Sequence, residues 1–193
     1  MRWLWHGLWR RREAGKRQIF LTFDDGPCPD TTPQLLDILD RNGVKATFFC
    51  VGDNVRKYPE LFAEIQRRGH HVGNHTMHHL RGFRTPCQTY LDDVAEADRY
   101  IGSTLLRPPY GRIRWSQLRA LRKRYTVVFW DVITRDYNRD LTPEFVAGIV
   151  RRYARNGSII VFHDSRKASK NMLAAIQPSI DFLKSEGYEF SLL

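Results

Sequence analysis

The chain has 193 residues, 42% hydrophobic and 27% charged, with a formal net charge of +10. That is enough apolar material for a domain with a real core, and it excludes a disordered or fibrous chain. The cationic excess suits an acidic partner, yet the basic residues are scattered, as at Arg67-Arg68, Arg122-Lys123-Arg124 and Arg151-Arg152. They form neither a base-reading helix nor an aromatic platform, so no nucleic acid is expected.

Residues 1–17 read as an N-terminal extension. Met1 to Trp9 are largely apolar but broken by His6 and Gly7, and the charges of Arg10-Arg11-Arg12 lie at the wrong end for a signal peptide. No export signal is visible, which leaves localisation open. Trp3, Trp5 and Trp9 are expected to pack as an edge strand or to cover one end of the domain. No apolar run approaches the roughly 20 residues of a membrane span. Cys28, Cys50 and Cys87 form no CxxC pair, and their odd count argues for reduced thiols, Cys50 being a core residue.

From residue 18 onward, short apolar runs alternate with capped helical patterns, which predicts a single α/β domain over 18–193 with mostly parallel strands. Strands are expected over 18–23, 46–51, 71–74, 105–107, 126–131, 158–163 and 188–192. Thr32-Pro33 opens a helix closing at Asn42-Gly43, and Tyr58-Pro59 one closing at Gly69. Thr85-Pro86 opens one reaching Ile101, and Thr142-Pro143 one closing at Asn156-Gly157. Proline at the first helical position and glycine past the end is the expected asymmetry. A last helix covers 171–185. Seven strands with helical crossovers allow an open sheet or an incomplete βα barrel, and in both the active site lies beyond the C-terminal strand ends.

Five of those strand ends carry reactive groups. The first runs into Asp24-Asp25-Gly26-Pro27. The third reaches Asn74-His75-Thr76-Met77-His78-His79, and the fourth Arg107-Pro108-Pro109-Tyr110. The fifth ends at Trp130-Asp131 with Asp136 beyond, and the sixth at His163-Asp164. Taken alone, Asp24-Asp25 is equally good turn chemistry. Beside the other clusters, it is a carboxylate pair that needs a cation. His75 and His79, spaced i, i+4, would face one way on a helical turn, with His75 and His78 the alternative; Asp25 would complete a two-histidine, one-carboxylate site. His70 closes a helix and His71 starts a strand, so both read as non-ligands.

The ordered set closely resembles the polysaccharide deacetylase family, carbohydrate esterase family 4, from about residue 18 to the C-terminus. Thr22-Phe23-Asp24-Asp25-Gly26-Pro27 looks like its first motif, His75-Thr76-Met77-His78-His79 its second, Arg107-Pro108-Pro109-Tyr110 its third and Val161-Phe162-His163 its last. The resemblance implies a distorted, incomplete (β/α) barrel of about seven strands and a metal-dependent hydrolase that removes acetyl groups, N-acetyl before O-acetyl, from a saccharide such as peptidoglycan or chitooligomers. It implies Asp25, His75 and His79 as metal ligands, with zinc favoured and cobalt or another first-row ion also fitting. It implies Asp24 as general base, Arg107 as its cationic neighbour, the Tyr110 N–H as oxyanion donor, His163 as general acid and Asp136 as the residue that orients His163. The fourth motif departs from the family pattern: Ile133 stands where an aspartate is usual and Tyr137 where a tryptophan is usual, and Asp131 is expected to substitute in part. That departure motivates two alternatives, another amide or O-acetyl hydrolase on the same fold and a non-catalytic glycan-binding module. The sequence leaves the oligomeric state open.

Overall fold

The strand β1 (Gln18–Asp25) alternates two environments. Ile19, Leu21 and Phe23 enter the main apolar core, whereas Phe20 joins a smaller cluster with Phe49, Val128, Ile159 and Leu193. This is the period of two of a strand covered on both faces. In the computed structural model, which describes residues 16–193, helices cover one face and the sheet curls around the other. Phe23 stacks on Phe48 at 5.1 Å between ring centroids and lies 6.0 Å from Phe162. Burying each such ring contributes on the order of 2 kcal/mol.

The remaining elements, in chain order, are α1 (Thr32–Arg41), β2 (Thr47–Cys50), α2 (Gly52–Lys57), α3 (Pro59–Arg67), β3 (His71–Asn74), α4 (Cys87–Ile101), β4 (Leu105–Leu106) and α5 (Trp115–Leu121). They continue with β5 (Thr126–Val127), β6 (Val132–Ile133), α6 (Pro143–Tyr153), β7 (Ser158–His163), α7 (Ser169–Ser185) and β8 (Glu189–Phe190). The sheet order is β5-β4-β3-β2-β1-β7-β6, every pairing is parallel, and β8 joins the first two residues of β1.

The two edge strands of that order, β5 and β6, are linked only by residues 128–131. A flat seven-stranded sheet would hold its edges about 29 Å apart. Four linking residues reach at most about 18 Å. The sheet must therefore curl most of the way round, giving the incomplete barrel that the motif set implies.

The same link corrects one expectation. Residues 126–131 are not one strand: the Val128 N–H bonds to the Leu106 carbonyl of β4, while the Asp131 N–H bonds to Ile159 of β7. The apolar run crosses the opening and changes partners midway. Two short helices, α2 and α5, were also absent from the sequence reading. Neither carries enough turns for an apolar stripe. In α2, Asp53 pairs with Arg56 and Lys57. In α5, the buried Gln117 accepts from the Arg114 N–H and donates to the carbonyls of Gly82 and Thr85. The expectation for Trp3, Trp5 and Trp9 lies outside the described residues. Among the described residues, no helix is long and apolar enough to cross a membrane.

Candidate active site

Strand register sets the site. Asp25, Cys50 and Asn74 form one row across β1, β2 and β3, Leu106 of β4 sits opposite Asn74, and His163 of β7 opposes Asp24. Each chain leaves its strand at or just past that row. Asp24, Asp25, His75, His79, Tyr110 and His163 consequently line one cleft of about 620 Å³. Arg107 and Asp136 are buried behind its wall, each in contact with a lining residue.

The ligating atoms of Asp25, His75 and His79 all lie within 4.8 Å of one another. His75 Nδ1 is bonded to the Arg107 carbonyl at 2.7 Å. That contact puts the ring proton on Nδ1 and leaves the Nε2 lone pair free. His75 Nε2 is 3.8 Å and His79 Nε2 3.3 Å from Asp25 Oδ1. This carboxylate oxygen is buried without a hydrogen-bond partner. One potential donor atom from each of three side chains thus converges on a common point, an arrangement that suits a divalent cation. Burial, reinforced by the neighbouring His79, lowers the His75 imidazole to about 4, so it is neutral, as a ligand must be.

The ligand loop is not the helical turn that the i, i+4 spacing suggested. Residues 75–80 form a bend, with Thr76 and His79 at φ of 65° and 54°. Its N–H groups go elsewhere: those of Met77 and His78 to the Asp93 carboxylate at 2.8 and 3.2 Å, that of Leu80 to the Thr76 hydroxyl. The non-glycine residues at positive φ among those described are Asp25, Thr76, His79, Tyr110 and Arg135. All lie in the site or next to Asp136, and such conformations cost about 1–3 kcal/mol each. The fold holds these residues against their preference.

On the other side of Asp25, Asp24 accepts from Arg107 Nη1 at 2.7 Å; that same nitrogen is 2.8 Å from Thr22 Oγ1. Arg107 is fully buried, its guanidinium 4.0 Å over the Phe49 ring and 5.7 Å from that of Trp130. A carboxylate with a fixed cation beneath it and a metal site beside it is placed to take a proton from water.

Comparisons with known proteins agree on a family. The polysaccharide deacetylase profile matches residues 11–128. A peptidoglycan-N-acetylglucosamine deacetylase of Bacillus cereus is 32% identical over 180 residues, covering 89% of this chain and 84% of the relative. A chitooligosaccharide deacetylase of Bradyrhizobium is 36% identical over 161 residues, covering 78% and 72%. The solved Bc1960 peptidoglycan N-acetylglucosamine deacetylase, in complex with 4-naphthalen-1-yl-N-oxidanyl-benzamide, superposes with a TM-score of 0.88 at 31% identity, covering 94% of this chain and 88% of that one. The chain belongs to the polysaccharide deacetylase family. It is a metal-dependent hydrolase acting on acetylated saccharides.

The cleft of this deacetylase is also lined by His163, the register partner of Asp24 on β7. Its Nδ1 is 2.7 Å from Asp136 Oδ1, and its backbone N–H donates to Asp136 Oδ2 at 2.7 Å. Burial would lower this imidazole; the hydrogen bond and charge of Asp136, with Asp25 and Asp24 adding, outweigh it and raise His163 to about 9. The ring is therefore protonated at neutral pH with Nε2 unused by Asp136. Tyr137 packs edge-on against it, centroids 4.9 Å apart, and lines the cleft with Ile133 and Trp130.

Asp131 does not substitute for the aspartate missing at Ile133. It bonds the Ser158 hydroxyl and the Ile159 N–H, both at 2.8 Å, and lies 3.4 Å from Arg155 Nε, so it pins the start of β7. His78, the alternative ligand, turns to Asp93 instead. His70 accepts from the Ala46 N–H and His71 faces Leu193, both outside the ligand cluster. Tyr110 packs against His79 with ring centroids 4.8 Å apart and planes tilted by 58°, and the Arg81 guanidinium lies 4.7 Å from the Tyr110 ring.

Sequence reading missed Asp93, Arg81, Arg112 and Lys167, the last three being cleft-lining cations. For Asp93 a signal existed: it is a carboxylate within the buried stripe Tyr90, Val94, Ala97 and Ile101 of α4. Loop cations such as Arg112 and Lys167 carry no comparable signal, since a solvated lysine or arginine has the same local pattern.

Proposed function

We propose that residues 18–193 form a catalytic domain that removes N-acetyl groups from an envelope-type glycan or chitooligomer, with zinc held by Asp25, His75 and His79. One observation carries the reading: a converged Asp25-His75-His79 cluster shares one cleft with Asp24, held by the buried Arg107, and with His163, held protonated by Asp136. A base and an acid within reach of one carbonyl-binding point are what amide hydrolysis requires.

The bound ion would supply Lewis acidity to the acetyl carbonyl and acidify water. The chain's own groups do the rest. Asp24, held by Arg107, accepts the water proton as the water oxygen bonds to the acetyl carbon. The Tyr110 N–H donates to the tetrahedral oxyanion. His163 delivers its proton to the sugar nitrogen as the carbon–nitrogen bond breaks, releasing acetate and a free amine, and Asp136 holds the imidazole aligned throughout. The aromatic faces of Tyr137, Trp130 and Tyr110 offer apolar walls to the acetyl methyl and the sugar ring.

The test is acetate release from N- and O-acetylated oligosaccharides, using metal-stripped protein with and without zinc, alongside Asp24→Asn and His79→Ala. Zinc-restored release from N-acetylated members, lost in both variants, is expected. Full activity in either variant would remove the assignment. Saccharide binding with no release from any member, in protein shown to bind zinc, would favour a glycan-binding module.

A further inference from the structure

Next to the catalytic cleft lies a second cavity of about 330 Å³, lined by Arg139, Arg166, Lys167, Ser169, Lys170 and Asn171. Lys167 belongs to both, so the two spaces share a wall. A line of contacts joins them: His163 packs on Tyr137, and Lys167 Nζ lies 5.6 Å from the centre of the Tyr137 ring. No carboxylate lines the second cavity. Arg166 is paired with Asp30 at 2.5 Å, whereas Arg139, Lys167 and Lys170 make no ion pair with any described carboxylate.

The arrangement is built into the fold. Asn171, buried in the first turn of α7, donates through Nδ2 to the carbonyls of Asn138 and Leu141. Those two bonds clamp the 138–141 loop to the helix and hold Arg139 beside Lys170. Three cations gathered around one concavity repel each other, and an anion seated among them would relieve that cost.

We propose that this cavity is an accessory subsite for an oxyanion, a carboxylate or phosphate, carried by the same glycan whose acetyl group reaches the cleft. The proposal rests on the deacetylase reading and narrows its substrate to an anionic glycan. Neutral oligomers occupy the cleft alone; anionic ones also engage Arg139, Lys167 and Lys170.

The experiment compares a chitooligosaccharide with a carboxymethylated chitooligosaccharide of equal length and equal acetylation, using the zinc-loaded full chain and its Arg139→Gln and Lys170→Gln variants. Both side chains are exposed and lie outside the catalytic cleft, so folding is not at risk. The parent is expected to show a higher kcat/KM for the anionic oligomer, falling with added salt. Each variant should lose roughly two- to fivefold on that oligomer, as exposed charge contacts do, and nothing on the neutral one. Equal kcat/KM for the two oligomers, or losses that fall on both alike, would overturn the subsite. Calorimetric binding of both oligomers to Asp24→Asn decides the case in which neither is turned over. Tighter, salt-sensitive binding of the anionic oligomer that Arg139→Gln weakens would keep the subsite while the deacetylase reading fails. Equal binding would remove both. Competition by inorganic phosphate against the anionic oligomer then separates a phosphate-accepting pocket from one selective for carboxylate.

Discussion

Asp93 holds His78 out of the metal cluster: its Oδ1 lies 2.6 Å from His78 Nδ1, while its Oδ2 accepts the backbone N–H groups of Met77 and His78. One carboxylate from α4 thereby shapes the loop between the two proposed ligands, His75 and His79, without touching either in the pairs it forms. Buried N–H groups left without partners cost about 1–3 kcal/mol each.

Asp93→Ala should therefore loosen the loop and weaken the binding of zinc, the proposed ion, by roughly 10- to 100-fold, the usual effect of losing an outer support. Asp93→Asn should restore most of the affinity, because an amide oxygen can accept both backbone N–H groups. Affinity is read by competition with a chromophoric chelator, independently of turnover. Alanine and parent proteins with the same zinc affinity would show that the loop holds its shape without Asp93.

Arg107→Met should destabilise the protein by about 3–5 kcal/mol, since it strips the partner from the buried Asp24. The destabilisation should shrink when Asp24→Asn is added, because the orphaned charge is then gone. Chemical denaturation of the two single variants and the double variant gives the coupling. Strictly additive losses would mean that Arg107 contributes through packing against Phe49 and Trp130 rather than through charge.

The motif-bearing strand ends were legible because register is a local property: apolar runs of known period stop where polar residues begin, and parallel pairing lines those stops up. The ordered motifs then fixed the family. What was not legible depends on partners distant in sequence. The break between β5 and β6 exists only because Leu106 and Ile159 offer different edges to one apolar run. The i, i+4 histidines suggested a helix because nothing local announces that Asp93, from another element, takes their loop's N–H groups. Asp131 looked like a substitute by strand parity, but the chain is crossing the barrel opening there and parity does not carry through.

The pH profile should carry the signature of His163. Its proton is held to about 9 against an ordinary 6.5, largely through Asp136 once burial is overcome. A general acid works only while protonated, so kcat/KM should decline as pH rises past that region. Asp136→Asn removes the main raising influence and should move the alkaline limb toward neutrality, with a lower plateau. An alkaline limb that stays in place in Asp136→Asn would take the acid role away from His163.

Asp164 supplies a test of stability apart from catalysis. It is buried against the turn after β1, accepting from the hydroxyls of Thr31 and Thr32 at 2.5 Å each, and a Cβ on Gly26 would come within 2.3 Å of its Oδ2. Burial is the dominant influence and raises this carboxyl from 3.8 to about 7 despite the two hydroxyls. The folded state thus binds the proton more tightly than the unfolded chain. Stability from that proton is complete below the unfolded value, drains away as pH rises from about 4 to about 7, and changes no further above. Asp164→Asn has no proton to lose. Its thermal midpoint relative to the parent, at fixed metal content, should therefore climb between about pH 4 and pH 7 and then level off. A difference between variant and parent that stays constant over that window would mean that Asp164 is ionised in the fold throughout, with the Thr31 and Thr32 hydroxyls sufficient to support the charge.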